Sequence, residues 1–166
     1  DSSCPAMLMA LQAGASGVSF TPVPGLFGSD LVAARGDWKV VPDPFGDGGQ
    51  VVLVPAVVPE YAMVHALRAD PQGNVVTTIE FDDRLLIQAS RRVVVTVEEV
   101  SAEATKSLRP GEQLTPAAYL DLVAVAPGGS LPVGCYGRYP DDREAILEYL
   151  AASGDSESLQ AWLARL

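Results

Sequence analysis

The sequence has a single histidine and only two cysteines, so few side chains could bind a soft metal ion. Cys4 and Cys135 are too few for a disulfide framework, and neither has the spacing of a zinc motif. The chain also lacks a glycine-rich dinucleotide fingerprint and a Walker-type loop. We therefore expect two reduced thiols in a cytoplasmic protein, with no metal site and no resident cofactor.

Basic residues are scarce as well. There are 11 lysines and arginines against 21 acids, and the formal net charge is −10. Such a surface repels phosphate backbones. The paired bases Arg91 and Arg92 precede an apolar run, as at the start of a strand. We predict that nucleic acid is not a partner.

Long apolar runs are absent too, so we expect no membrane-spanning segment. Charged residues make up 19% of the chain, less than the usual quarter or so, which indicates that part of the surface is buried against another molecule. Hydrophobic residues make up 48%, enough for the core of one domain over residues 1–166. Because the chain starts at Asp1 and enters a helix almost at once, we expect an N-terminal portion to be missing.

Apolar runs at 51–54, 62–67, 92–97 and 120–125 indicate strands, and their near-continuous character is typical of parallel strands covered on both faces. Helices are predicted from Pro5, over 83–90 and over 141–152. A last helix carries an apolar stripe of Leu159, Trp162, Leu163 and Leu166. The pattern predicts an α/β fold with an open, mainly parallel sheet flanked by helices.

Glu98 directly follows the clearest strand, at 92–97. Ligands of parallel sheets bind beyond the carboxyl ends of the strands, so Glu98 is a candidate to face a cleft or a subunit interface. The alternative is a solvated strand end.

The segment from His65 to Asn74 ends another strand in polar residues. His65 lies within an apolar run, where a hydrogen-bonded core histidine is more common than a catalytic base. Arg68 and Asp70 are two residues apart, so they could form an ion pair that locks the following turn, or could contact a ligand. There is no Gly-x-Ser-x-Gly motif, and we assign no catalytic residue.

The same segment, residues 64–74, resembles a signature of the A subunits of class I CoA transferases. Four further segments resemble that family in the same order, at 12–22, 25–31, 92–100 and 126–132. The resemblance runs along the whole chain and is greatest for glutaconate CoA-transferase-like A subunits. Ser19 and Ser130 depart from the family pattern, which has proline and alanine there.

This resemblance implies a CoA transferase or sugar-phosphate isomerase-like fold and one subunit of a hetero-oligomer. Coenzyme A would be a substrate, moved between an acyl-CoA and a carboxylate acceptor. The nucleophile would be a glutamate of the partner B subunit. This chain would supply walls of the substrate pocket or part of the interface, with Ser29, Asp30, Arg68, Asp70, Asn74 and Glu98 as the candidate residues.

Two alternatives stay open. In related ring-opening acyl-CoA hydrolases of steroid breakdown, the A subunit carries a catalytic glutamate just ahead of the Ala-Gly helix, near the position of Asp1 in this chain. The second alternative is a non-catalytic metabolite-binding domain of the same fold.

Overall fold

In the computed structural model, the described residues are 2–46, 48–79 and 82–165. They form three three-stranded sheets and five α-helices. In chain order the elements are α1 (Cys4–Ala15), β1 (Phe20–Val23), α2 (Asp30–Ala34), β2 (Lys39–Pro42), β3 (Gln50–Pro55), β4 (Tyr61–Ala66), β5 (Arg68–Ala69), β6 (Val75–Thr78), α3 (Asp83–Ala89), β7 (Arg92–Val97), β8 (Glu112–Thr115), β9 (Leu122–Val125), α4 (Arg143–Ala152) and α5 (Ser156–Leu163). A short 3₁₀ turn covers Ala117–Tyr119.

The central sheet is parallel, with the strand order β4-β7-β9. This confirms the predicted α/β class. Alternate residues of β4 and β7 point into a core that also receives Ile87 of α3. Parallel neighbours need a long crossover, and α3 lies in the crossover from β4 to β7.

The other face of the parallel sheet is open over the described residues. Met63, Val94 and Leu122 lie in one row across the three strands. Met63 is 80% exposed and Leu122 is 55% exposed. The apolar runs therefore differ from the prediction, since α3 covers one face only.

Strand β3 was expected in the parallel sheet, and that prediction is wrong. It lies between β1 and β2 in an antiparallel sheet. Only Val52 and Val54 of β3 are buried, because helix α1 covers one face of this sheet. The run of valines thus belongs to a half-buried strand.

A third sheet is antiparallel and has the order β5-β6-β8. The predicted turn at 71–74 joins β5 to β6, which confirms that 75–78 pairs back on the preceding segment. Strand β8 was not predicted.

Helices α4 and α5 follow at the C-terminal end, as predicted. Asp142 and Asp155 cap them by accepting hydrogen bonds from backbone amides. Tyr149 and Trp162 pack edge to face at 5.4 Å between ring centroids. Leu166, the last residue of the predicted stripe, lies outside the described residues. Of the helices described, none has the length and apolar character needed to cross a membrane.

Candidate functional site

Glu98 lies at the carboxyl edge of the parallel sheet, as its place in the sequence predicted. Its Oε1 accepts hydrogen bonds from His65 Nε2 and from the Tyr139 hydroxyl, each at 2.7 Å. The backbone amide of Gly128 donates to both carboxylate oxygens, at 3.1 and 3.0 Å. The side chain is 10% exposed. Glu98 is therefore a held carboxylate, and a solvated strand end is excluded.

His65 reaches Glu98 because β4 and β7 pair in parallel register, with His65 opposite Thr96. Its Nδ1 lies 2.8 Å from the Thr96 hydroxyl. An ionised carboxylate only accepts, so Nε2 carries hydrogen and Nδ1 of a neutral ring accepts from Thr96. Both ring nitrogens are thus hydrogen-bonded, which agrees with the predicted satisfied histidine. His65 stands on the open face of the sheet rather than in a core.

The loop after β9 completes the site. Gly128 has a φ of 73°, a conformation that glycine adopts without strain, and this turns its amide towards Glu98. The Tyr139 hydroxyl also accepts a hydrogen bond from the amide of Ser130, at 3.1 Å. The turn and the tyrosine therefore hold each other in place around the carboxylate.

The electrostatics of the site favour an ionised Glu98. Burial alone would raise the pKa of Glu98, but the hydrogen bonds from Gly128, Tyr139 and His65 outweigh burial and lower that pKa below its usual value. Burial, together with the hydrogen bond to Glu98, raises the pKa of Tyr139 to about 12. Tyr139 therefore stays protonated and donates to Glu98 at neutral pH.

Folding brings Cys135 to the same place. Ligand atoms of His65, Glu98 and Cys135 all lie within 4.8 Å of one another. The sequence-based argument that the cysteines and the histidine are too widely spaced is therefore wrong in three dimensions. However, His65 and Glu98 hydrogen-bond to each other, and burial followed by the charge of Glu98 raises the pKa of Cys135, which favours the neutral thiol. The described geometry is that of a hydrogen-bonded cluster.

Arg68 and Asp70 were interpreted as a possible ion pair, and the structure gives each different partners. Arg68 makes a two-pronged ion pair with Glu112, with both N–O distances 2.7 Å. Its guanidinium also donates to the backbone carbonyls of Ala104 and Ser107. The side chains of Arg68 and Glu112 are only 11% and 2% exposed, so this pair joins β5 to β8 inside the fold.

Asp70 and Asn74 instead build the turn between β5 and β6. Asp70 accepts hydrogen bonds from the backbone amides of Gln72 and Asn74, from the Asn74 side chain and from the Thr105 hydroxyl. The Asn74 bond, assisted by the others, lowers the pKa of Asp70 against the opposing effect of burial. Asn74 Oδ1 accepts from the amide of Ala117. These contacts stabilise the turn.

Ser29 and Asp30 lie elsewhere, at the start of α2, and both are exposed. The Ser29 hydroxyl donates to the carbonyl of Leu26 at 2.8 Å. No described contact joins these residues to Glu98. Asp1, considered as an analogue of the hydrolase glutamate, lies outside the described residues.

Sequence reasoning missed Tyr139, Thr96 and the Gly128 amide as partners of Glu98. Tyr139 and Gly128 both fall in segments that resemble the transferase family, and that was the available signal. The pairing of His65 with Thr96 depends on the register of β4 against β7, which no local motif encodes.

Comparison with known proteins links the whole of this architecture to one family. A family model described as coenzyme A transferase matches residues 5–126. The A subunit of 3-oxoadipate CoA-transferase from Pseudomonas knackmussii is 32% identical over 155 residues, which cover 91% of this chain and 53% of that protein. The A subunit of glutaconate CoA-transferase from Acidaminococcus fermentans is 29% identical over 170 residues, covering 93% and 53%.

The solved structures agree with the sequence matches. The crystal structure of glutaconate coenzyme A-transferase from Acidaminococcus fermentans matches with a TM-score of 0.87 at 27% identity, over 99% of this chain and 57% of that one. The decarboxylase AibA/AibB matches with a TM-score of 0.76 at 36% identity, over 98% and 60%. The chain thus spans about half the length of the two curated transferase subunits it matches, 53% in each case.

Proposed function

Because the chain belongs to the coenzyme A transferase family, we propose that it acts as the A subunit of a CoA transferase. The reaction moves CoA from an acyl-CoA to a carboxylate acceptor. The thioester is attacked by a glutamate of a partner B subunit, and an enzyme-bound glutamyl-CoA thioester forms while the original acyl group leaves as a free carboxylate. The complex would be cytoplasmic, with coenzyme A as a substrate and no resident cofactor.

The state of Glu98 is the observation that carries this division of roles. A nucleophilic carboxylate needs an oxygen free to approach a carbonyl carbon, whereas both oxygens of Glu98 accept hydrogen bonds. Its lowered pKa also makes it a weaker nucleophile. Glu98 is therefore better suited to position His65 and the loop after β9 than to attack a thioester.

The open face of the parallel sheet supports a partner polypeptide. Parallel sheets are normally covered on both faces, and an exposed apolar row marks a protein contact surface. Met63, Val94 and Leu122 form that row, and His65 follows Met63 on the same face of β4. A partner on this face would lie next to the Glu98 site.

The test is co-expression of the chain with a candidate B subunit, followed by acyl-CoA and borohydride. We expect a stable mixed oligomer and a reduced glutamyl thioester trapped on the partner chain. The Lys106→Ala variant, altered in an exposed ion pair with Glu103, serves as the matched control and should behave like the wild type. A well-behaved monomer without a partner, or an active complex without the adduct, would contradict the proposal.

A second candidate function is decarboxylation, since the match to the decarboxylase AibA/AibB has 36% identity. The same complex would then release carbon dioxide from an acyl-CoA that carries a second carboxylate, and CoA would not move to an acceptor. Measuring carbon dioxide release beside CoA exchange separates the two. Release of a ring-opened acyl-CoA would favour the hydrolase, and tight metabolite binding without turnover would favour the binding domain.

A further inference from the structure

A small cavity lies beside His65, lined by residues of β4, β6, the first turn of α3 and the loop after β9. Its volume is about 60 Å³. Since a water molecule takes up ~30 Å³ of liquid volume, this space matches about two waters or the end group of a small organic molecule. Leu67, Cys135 and Tyr136 supply apolar wall. Apolar walls with a few polar groups are typical of a ligand site.

The polar groups of this cavity include two buried hydroxyls. Thr77 is 1% exposed and Thr78 is 7% exposed, and both line the cavity. Neither hydroxyl has a hydrogen-bond partner among the described residues. Burying an unpaired hydroxyl is unfavourable, and such groups in folded proteins usually mark a bound molecule. The cavity therefore favours a group that can hydrogen-bond to a hydroxyl.

The charge of the lining limits what that group can be. Asp83 also lines the cavity, and burial, with a smaller effect from Asp82, raises the pKa of Asp83. Among the described residues that line the cavity there is no lysine or arginine. A carboxylate would approach Asp83 without a fixed cation to offset the repulsion. A hydroxyl or a carbonyl group would meet donors and acceptors without that repulsion.

We propose that this cavity receives the far end of the acyl group and selects a neutral, hydrogen-bonding end over a carboxylate. The naming of the ligand as an acyl group rests on the transferase function proposed above. The existence of a site for a neutral polar group does not, because it follows from Thr77, Thr78 and Asp83 alone.

The direct test uses the chain by itself, labelled with ¹³C at the threonine methyl groups. Titration with 1-propanol should give saturable NMR shifts at the Thr77 and Thr78 methyls, whereas propionate, of similar size, should bind about tenfold more weakly. Thr115→Val is the matched control, since Thr115 is another buried unpaired hydroxyl that does not line the cavity. It should keep the wild-type response.

Two variants make the test decisive. In Thr77→Val/Thr78→Val, which keeps the side-chain shape, 1-propanol affinity followed on other cavity resonances should fall about threefold to tenfold. In Asp83→Asn, the discrimination against propionate should shrink. Shifts that never saturate would mean that the cavity holds water only. That result, equal binding of the two probes, or an unchanged double variant would overturn the proposal.

A second arm separates this proposal from the transferase function. In the complex with the partner B subunit, 4-hydroxybutyryl-CoA should be a better substrate than succinyl-CoA, which differs only in its far end, and the double threonine variant should remove the preference. Saturable binding of 1-propanol in a complex without CoA exchange would leave the site intact and refute the transferase function. An active complex that does not discriminate between the two acyl ends would refute the acyl-end proposal alone.

Discussion

His65 Nε2 and Glu98 Oε1 lie 2.7 Å apart, although 33 positions separate the two residues in the chain. The parallel pairing of β4 with β7 brings them together at the carboxyl edge of the sheet, on its open face. Glu98 is the shared acceptor of this site, and the chain's testable properties follow from how firmly it is held.

Replacing Glu98 should change the response of the fold to acid. The pKa of Glu98 in the folded chain lies below its ordinary value of 4.5, so the folded state binds fewer protons than the unfolded state. Its stabilising effect is complete above pH 4.5 and is lost as the pH falls through the folded pKa. Glu98→Gln should therefore unfold more easily at pH 7, by about 1–3 kcal/mol.

Urea unfolding across pH 3 to 7 measures this effect. The curve of Glu98→Gln should be flatter than that of the wild type, because one acid-sensitive group has gone. Glu157→Gln, on an exposed position of α5, is the control and should follow the wild type. A variant curve parallel to the wild-type curve would show that Glu98 does not contribute.

Removing the Tyr139 hydroxyl should loosen the loop after β9. Tyr139→Phe takes a donor from Glu98 and an acceptor from the Ser130 amide, so the free energy of unfolding should fall by about 1–2 kcal/mol. The pKa of Glu98 should rise towards its usual value, which a ¹³C carboxyl NMR titration can follow. Tyr119→Phe, at a side chain 48% exposed, should alter neither quantity. An unmoved Glu98 titration in Tyr139→Phe would contradict the geometry.

Breaking the pair of Arg68 with Glu112 should destabilise the chain strongly. Arg68→Met leaves a buried carboxylate without its cation and should cost about 3–5 kcal/mol. The double variant Arg68→Met/Glu112→Leu should recover part of that loss, because no charge is then left unpaired. Chemical denaturation of both variants is the measurement. If Arg68 served only to contact substrate, the single variant would keep wild-type stability.

Gly14 should not tolerate a side chain. A methyl group there would collide with the backbone carbonyl of Val57, whose amide donates to the carbonyl of Ala10 in α1 at 2.9 Å. Gly14→Ala should lower stability by about 1–3 kcal/mol, although alanine favours helices. Gly36→Ala, where nothing lies within 4 Å of the added carbon, should be neutral or slightly stabilising in thermal melts. Equal melting temperatures for the two variants would refute this packing.

Much of the fold could be predicted from the sequence, because it depends on local patterns. The β-branched run of β7 and the polar turn after Asp70 both contain their own structural signals. Strand β8 was missed since Glu112–Thr115 shows no clear alternation, and it is a strand because it pairs with β6. The valines of β3 misled the prediction because a continuous apolar run does not say how many faces are covered.

The candidate site was only half predictable for the same reason. The position of Glu98 after a strand is a local fact, and it was enough to place the residue at the sheet edge. Its partners are set by strand register and by a loop about 30 to 41 residues further along the chain. The ion pair of Arg68 shows the same limit, since its partner Glu112 is 44 positions away.

Helices α4 and α5 contain no buried residue. Their fold depends on capping, on mutual packing and on the contact of Tyr149 with Trp162. In terms of local stability, this pair forms a weak cooperative unit that can open while the sheets stay closed. Its amide hydrogens would exchange with solvent well before those of β7, so the end of the chain can rearrange without disturbing the Glu98 site.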